Sequence, residues 1–490
     1  MIIRNGEGLG PGRRRFLRWA GAATALGSGA VLSACAGSGS AANGSSSASA
    51  RPTTSRPMTE LTFMPWWIYW TATGRSLVQQ QADTFGETHK GLRLKALPGP
   101  QGGGASTSGV IASILAGSGP DVIADCCGAF PTYTSQGVFA NLTPLLKRDN
   151  ININTWARAQ AAALHTQQGQ FALPVYNGPV VYACRLDILD TLGLPYPDPQ
   201  WTYTEAADLW TKCAGQFQAG GKSQHRFGVD FWWQPSSWYA GNYLLAGFGG
   251  AEMDPTRTRA LVDSPGSLAA LEWVYPLIWG KVIGPSQGAL HDGTAAFHLE
   301  GGWSIPHNVV NYGAKFKWAY YPVPKFPRGR ATFNNNDFWG INAQSKHLDQ
   351  AWEVLKWLTY DDSWQRFCMK TTLLAPCKVA LWAEFEQQLI ATAPILKGKG
   401  LQWFRDAAEG GYGYPQEFFK YQWNQADALL GQAVAGIYDR KLSISGAMRQ
   451  AAQRIDALVA AGATIATEAQ SAKSAFPTHG PQIATVPPGL

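Results

Sequence analysis

From Glu60 onward the chain alternates β-like runs with helix-like ones, and that alternation narrows the possible folds more than any other feature. Glu60–Met64 is a β-like run that stops at Pro65, Arg75–Thr88 is helix-like, Leu92–Leu97 is β-like, and Ser108–Ala116 is a second helix closing at Gly117-Ser118-Gly119. Strands separated by helices of about 10–15 residues form βαβ crossovers, so an α/β fold with a largely parallel sheet is expected. Farther along, Trp352–Leu358 and Ile444–Leu458 carry apolar residues at helical spacing. The chain beyond residue 35 is long enough for two or three domains and contains no apolar run of membrane length.

The first 58 residues read as an address and a tether. Arg13-Arg14-Arg15-Phe16-Leu17-Arg18 precedes a modestly apolar run from Trp19 to Ala34, and a cationic segment followed by an apolar one is an export signal. Gly21, Gly27, Ser28 and Gly29 interrupt the run, which falls short of the ~20 apolar residues that a span requires. The arginine pair with Phe16 and Leu17 resembles the twin-arginine pattern, with general secretion as the other route. Leu32-Ser33-Ala34-Cys35 resembles a bacterial lipobox. This implies a signal peptide over 1–34 and a lipidated Cys35 at the mature N-terminus; a plain small-residue cleavage site is the alternative. The Gly, Ser, Ala, Asn and Thr of the segment reaching residue 58 cannot bury a core and predict a flexible tether over 35–58. The expected location is the outer face of the cytoplasmic membrane, held there by the lipid.

Charge excludes one class of partner. Of the net +7, residues 1–34 contribute five Arg against one Glu, so the remainder lacks the basic surface that nucleic acid requires. Charged residues make up only 15% of the chain, against a usual ~25%, whereas there are 21 Trp. Recognition is therefore expected from aromatic and amide groups, with part of the indoles serving as core. Cys126, Cys127, Cys184, Cys213, Cys368 and Cys377 leave the disulfide pairing open, with Cys184/Cys213 and Cys368/Cys377 as local candidates. No C-x-x-C spacing occurs, and no metal or cofactor is expected.

Several motifs keep one order along the chain. They include Gly117-Ser118-Gly119-Pro120-Asp121-Val122 and Gly137-Val138-Phe139-Ala140-Asn141-Leu142, then Leu173-Pro174-Val175-Tyr176-Asn177-Gly178 and Leu192-Gly193-Leu194-Pro195 leading to Trp201-Thr202-Tyr203-Thr204-Glu205. Val262-Asp263-Ser264-Pro265, Gly293-Thr294-Ala295-Ala296-Phe297 with Gly301-Gly302-Trp303, Tyr321-Pro322-Val323-Pro324 and Ser345-Lys346 with Ala351-Trp352-Glu353 follow. Together they resemble the extracellular solute-binding proteins of multi-sugar ABC importers, the maltodextrin-binding branch, from about residue 60 to about 460. The resemblance implies a type II two-lobe periplasmic-binding-protein fold whose lobes are discontinuous: 59–173 with 325–376, and 174–324 with 377–490. The chain would cross between them near Leu173–Asn177, Pro322–Phe326 and Pro376. It also implies a monomer that captures a neutral sugar or oligosaccharide in the interlobe cleft and delivers it to the transmembrane subunits of an ABC permease. Thr202 or Thr204 is the expected cap of the helix that follows Trp201.

A sugar presents C–H faces and a rim of hydroxyls, so its site needs flat aromatic rings with amides and carboxylates around them. Trp66 and Trp67 follow the first strand, Asp125 follows the Pro-Asp-Val motif, and Asn177 stands at the first crossing. Trp238 is chosen from Phe231–Tyr239, the densest aromatic segment of the second lobe, and the resemblance singles out Trp303 for stacking on a pyranose ring. Asn335 and Asn336, where the family usually has glycines, are candidates with Asp337, and Tyr412 with neighbouring tyrosines is a further one. Packing is the competing role for the tryptophans, helix capping for Asp125, and turn formation for the asparagines.

No catalytic group is expected. Gly284-Pro285-Ser286-Gln287-Gly288 fits G-x-S-x-G as a string only, because its Pro lies where the strand-to-helix elbow would be. Two alternatives stay open: a glycerophosphodiester or choline-type ligand held by the aromatic groups, and a secreted glycosidase drawing a carboxylate pair from Asp125, Asp230, Glu300 and Asp337.

Overall fold

The computed structural model describes residues 58–65, 74–97, 107–126, 129–156, 158–166, 168–176, 178–230, 241–284, 290, 292–335, 337–409, 413–415 and 422–475. The export and tether segment with Cys35 therefore lies outside the described residues, as do Trp66, Trp67, Asn177, Trp238, Ser286, Asn336 and Tyr412.

Two sheets share one compact unit, Arg56–Leu490. The first has five strands in the order Leu92–Ala96, Thr59–Met64, Val122–Cys126, Asp337–Ile341, Ala172–Pro174. Thr59–Met64 pairs in parallel with both neighbours, as the βαβ alternation requires, and only Asp337–Ile341 runs antiparallel to its own neighbours. Val122–Cys126 is buried along its whole length, which explains why Val122, Ile123 and Ala124 run on as apolar residues rather than alternating with polar ones. Leu92–Ala96 stands at the end of the ladder, where Arg93 and Lys95 lie 3.7 and 3.8 Å from Glu60. Helix Gly74–Thr88 buries Val78, Ala82 and Phe85 in the core of this sheet.

The Asp of the Pro-Asp-Val motif has a structural task. Asp121 Oδ2 accepts from Thr62 N at 2.7 Å and Thr62 Oγ1 at 2.8 Å, and its Oδ1 accepts from Ser345 Oγ at 2.6 Å. One carboxylate thus ties the first strand, the third strand and the segment after Ile341 together.

The second sheet is mixed rather than largely parallel. Its main path runs Ile283–Gly284, Lys222–Asp230, Ala295–Gly301, Gly178–Arg185, Thr332–Asn335, Gly413–Pro415, with Trp318–Tyr321 and Gly215–Ala219 joined at its sides. Lys222–Asp230 is parallel to Ala295–Gly301, whereas Gly178–Arg185 is antiparallel to it. One face carries a core of Tyr182, Trp201, Trp210, Phe297 and Leu299, covered by helices Tyr203–Cys213, Pro265–Trp279, Trp423–Tyr438 and Ile444–Ala475. Thr202 caps the first of these in a reciprocal box with Glu205. The other face packs Val181, Ala183, Trp318 and Tyr320 on Trp382, Phe385 and Phe404. Trp156, Trp210, Trp318, Trp339, Trp352 and Trp382 are all fully buried, so much of the indole content is core. Cys184, Cys213 and Cys377 are free thiols, so neither local pair, Cys184/Cys213 or Cys368/Cys377, is bridged.

The chain leaves the first sheet at Pro174 and enters the second at Gly178. The return differs from the expectation of a crossing at Pro322–Phe326. Val323 and Phe326 are buried in the second core, Thr332–Asn335 still belongs to the second sheet, and Asp337–Ile341 belongs to the first. Residues 325–335 thus belong with the second lobe, and the prolines at 322 and 324 shape a turn inside it. A third passage follows Cys377, which is buried in the first core, whereas Leu381 is buried against the second sheet.

Candidate functional site

The two connecting strands run side by side. Phe338 pairs with Pro174, Val175 N donates to Asp337 O at 3.0 Å, and Asn335 pairs with Gly178. This ribbon brings three of the expected residues together from distant parts of the sequence.

Asp337 is enclosed, with 1% of its surface exposed. Its Oδ1 accepts from Asn335 Nδ2 at 3.0 Å, and the same amide lies 3.4 Å from Tyr176 Oη. Burial pushes the Asp337 carboxyl up to about 7; bonds from Tyr176 and Asn335 oppose that rise and the charge of Asp125 adds to it. Asp125 is fully buried, inside strand Val122–Cys126 rather than after it. Its Oδ1 accepts from Cys126 N at 2.8 Å and its Oδ2 from Tyr133 Oη at 2.9 Å, so it holds helix Ala129–Ser135 by a side chain.

Trp303 packs against the cores of both lobes. Two glycines make room for it: a Cβ on Gly178 would stand 3.1 Å from the indole, and one on Gly301 would stand 2.3 Å away. Gly301, the first glycine of the Gly-Gly ahead of Trp303, is thus a steric requirement of the ring itself.

A second polar cluster was not anticipated as a group. In Ala295–Gly301 the side chains alternate, so Phe297 and Leu299 enter one core while His298 and Glu300 face the other with Val181 and Ala183. His298 Nδ1 is 3.5 Å from Asp230 Oδ2, its Nε2 is 3.8 Å from Glu300 Oε1, and Tyr312 Oη donates to the same Glu300 oxygen. Burial alone would lower His298, but Glu300 and Asp230 outweigh it and raise the imidazole above its ordinary value. Burial, with Glu300 beside it, also raises Tyr312. The polar-apolar alternation of Phe297-His298-Leu299-Glu300 was the available signal for this cluster.

Asp125 and Asp337 thus lie by the connecting ribbon and Asp230 and Glu300 lie in the second lobe. Among the described residues, no group of three or more His, Cys, Asp or Glu is arranged to hold a metal ion. No described helix is long and apolar enough to cross a membrane.

Solved structures share this architecture. An ABC substrate-binding protein from Listeria monocytogenes in complex with cycloalternan matches at 18% identity and TM-score 0.66, over 81% of this chain and 98% of that one. The cyclic α-maltosyl-1,6-maltose binding protein from Arthrobacter globiformis matches at 17% and 0.67, over 82% and 99%. UgpB from Mycobacterium tuberculosis in complex with glycerophosphocholine matches at 15% and 0.66, over 82% and 98%. These likenesses establish the type II periplasmic-binding-protein fold. No curated protein matches the chain. Residues 69–363 match the family described as bacterial extracellular solute-binding protein, and with more than half of its length in that match the chain belongs to this family of binding proteins.

Proposed function

We propose that the protein is the solute-capturing subunit of an ABC importer and that its solute is a neutral sugar or oligosaccharide. The observation that carries this reading is Trp303, an indole set against both lobes beside a ribbon of buried amide, hydroxyl and carboxyl groups. Such a ring offers a pyranose face a stacking surface that both lobes help to position. The two saccharide-binding structures above are in keeping with it.

In this reading Trp303 and Asn335 contact the solute. Trp66, Trp67, Asn177, Trp238, Asn336 and Tyr412 join them on the sequence grounds given above. Asp125 and Asp337, being enclosed, orient Tyr133, Tyr176 and Asn335 from behind. Solute bound to both lobes favours their closed arrangement, which docks on the permease. No covalent step is involved. Export with lipid attachment at Cys35 and a monomeric state complete the proposal.

Isothermal titration of the purified protein against neutral mono- and oligosaccharides and glycerophosphocholine tests it. Heat with a saccharide, weakened at least about tenfold in Trp303→Ala, is the expected result, since a buried aromatic contact of this kind contributes roughly 1.5 kcal/mol or more. Silence toward every saccharide with heat for glycerophosphocholine overturns the sugar assignment. Release of reducing sugar by the protein alone overturns the assignment as a binding protein.

A further inference from the structure

Gln160 sits on the short helix Arg158–Ala163, which touches Ala172–Pro174 of the first sheet and both Thr332–Asn335 and Gly413–Pro415 of the second. Its side chain is fully buried. Nε2 donates to Tyr176 O at 2.8 Å and to Asn335 O at 2.7 Å. Those two carbonyls belong to the two different strands that connect the lobes. Only the NH2 end of the amide can face a pair of carbonyl oxygens, so its orientation is fixed chemically. Its Oε1 is buried with no partner among the described residues.

A second glutamine supplies an internal comparison. Gln170 is also buried, and its Nε2 also bridges two backbone carbonyls, Ala161 O at 3.2 Å and Ala172 O at 2.7 Å, with Oε1 again lacking a partner among the described residues. Both of its acceptors lie on the first-lobe side of the connecting strands. The chemistry is the same in the two cases, and only the placement differs.

We propose that Gln160 is a positioning residue for solute capture: by clamping Tyr176 O and Asn335 O together it sets the relative placement of the two lobes, and with it how long a solute is held. This rests on the solute-binding reading for its consequence but not for its geometry. A ligand changes a two-state equilibrium only through differential contacts, and a joint that holds both connecting strands in register biases that equilibrium with no contact to the ligand itself.

The test uses the purified protein in three forms: unaltered, Gln160→Met and Gln170→Met. Methionine keeps the length and removes both donors. Both variants are expected to lose similar thermal stability. Only Gln160→Met is expected to change the small-angle scattering profile of the solute-free protein and to speed hydrogen exchange at Val175 N–H by about tenfold, the scale of a typical coupling between sites. With maltotetraose as probe, it is also expected to release the sugar about tenfold faster. Equal scattering and equal Val175 exchange in the two variants overturn the proposal. Should Gln160→Met fail to fold, Gln160→Glu keeps the shape and donates only when protonated. Its Val175 exchange, taken relative to the unaltered protein, is then expected to be faster at pH 8 than at pH 5, and a pH-independent ratio overturns the proposal. Because scattering and exchange need no solute, absence of maltotetraose binding counts against the sugar assignment and not against the clamp.

Discussion

Near the connecting ribbon, Asp337 sits among Tyr176, Asn335 and Asp125, whereas in the second lobe Asp230 and Glu300 flank His298. Both regions take carboxyl groups out of water, which is costly for the charged form. Beside the ribbon the cost is met by a proton, since Asp337 stays neutral up to about pH 7 and its neighbours orient it through hydrogen bonds. In the second lobe it is met by an imidazole held above its ordinary pKa. The difference teaches that the region where the lobes join carries a pH-dependent charge, while the second-lobe cluster is built around an ion pair.

The largest expected effect breaks the ion pair. Glu300→Ala removes one of the two carboxylates flanking His298 and the acceptor of Tyr312 Oη, and is expected to cost about 3–5 kcal/mol in denaturant unfolding. A loss below about 1 kcal/mol would mean that the two clusters do not differ in the way described.

Next in size are the pH dependences. Between the unfolded carboxyl value of about 4 and the folded value of about 7, the native protein holds a proton that the unfolded chain has released. Stability from Asp337 therefore falls as pH rises through that window and levels off above it. Asp337→Asn is expected to remove this slope and to be more stable than the parent by about 3 kcal/mol at pH 8 relative to pH 5, at ~1.4 kcal/mol per unit. His298, also raised, contributes stability that is complete below the unfolded imidazole value of about 6.5 and is lost as pH rises through its folded value. The part of the remaining slope that lies above pH 6.5 should thus shrink when His298→Gln is added. Urea titrations at a series of pH values measure both.

Smallest are the two phenol deletions. Tyr133→Phe removes one bond to Asp125, and Tyr312→Phe removes one to Glu300. Each is expected to cost about 1–3 kcal/mol in thermal unfolding, with the Tyr312 change also raising the His298 value because Glu300 loses a donor and interacts more strongly with the imidazole. An NMR titration of His298 that does not move would separate Tyr312 from the ion pair.

The first sheet was legible in the sequence because its strands and helices follow one another locally, so Glu60–Met64, Arg75–Thr88, Leu92–Leu97 and Ser108–Ala116 show their periods directly. The cap after Trp201 was legible only as Thr202 or Thr204, and the reciprocal box with Glu205 assigns it to Thr202. The second passage between the sheets was not legible. The prolines at 322 and 324 look the same whether they break a lobe or turn within one, and the placement of Thr332–Asn335 depends on pairing with Pro179 and Gly178, more than 150 residues earlier. Gln160 was invisible for the same reason. A glutamine in Arg158–Ala163 has no local pattern, and its meaning comes from Tyr176 and Asn335, which approach it only in the folded chain. Asp125 stood out as polar at the end of an apolar run, but whether it faced a ligand or Tyr133 was decided by packing.

The edges of the first sheet bear on how copies of the protein tolerate one another. A bare strand edge is a template on which a neighbour can add its own strand. Here one end of the ladder is Leu92–Ala96, with Arg93 and Lys95 around Glu60, and the other, Ala172–Pro174, is buried, with helix Arg158–Ala163 against it and Ala172 O taken by Gln170 Nε2. A chain that approaches the first edge must desolvate fixed charges, and one that approaches the second finds it already covered by the chain itself. Both features discourage a neighbouring copy from extending this sheet with a strand of its own.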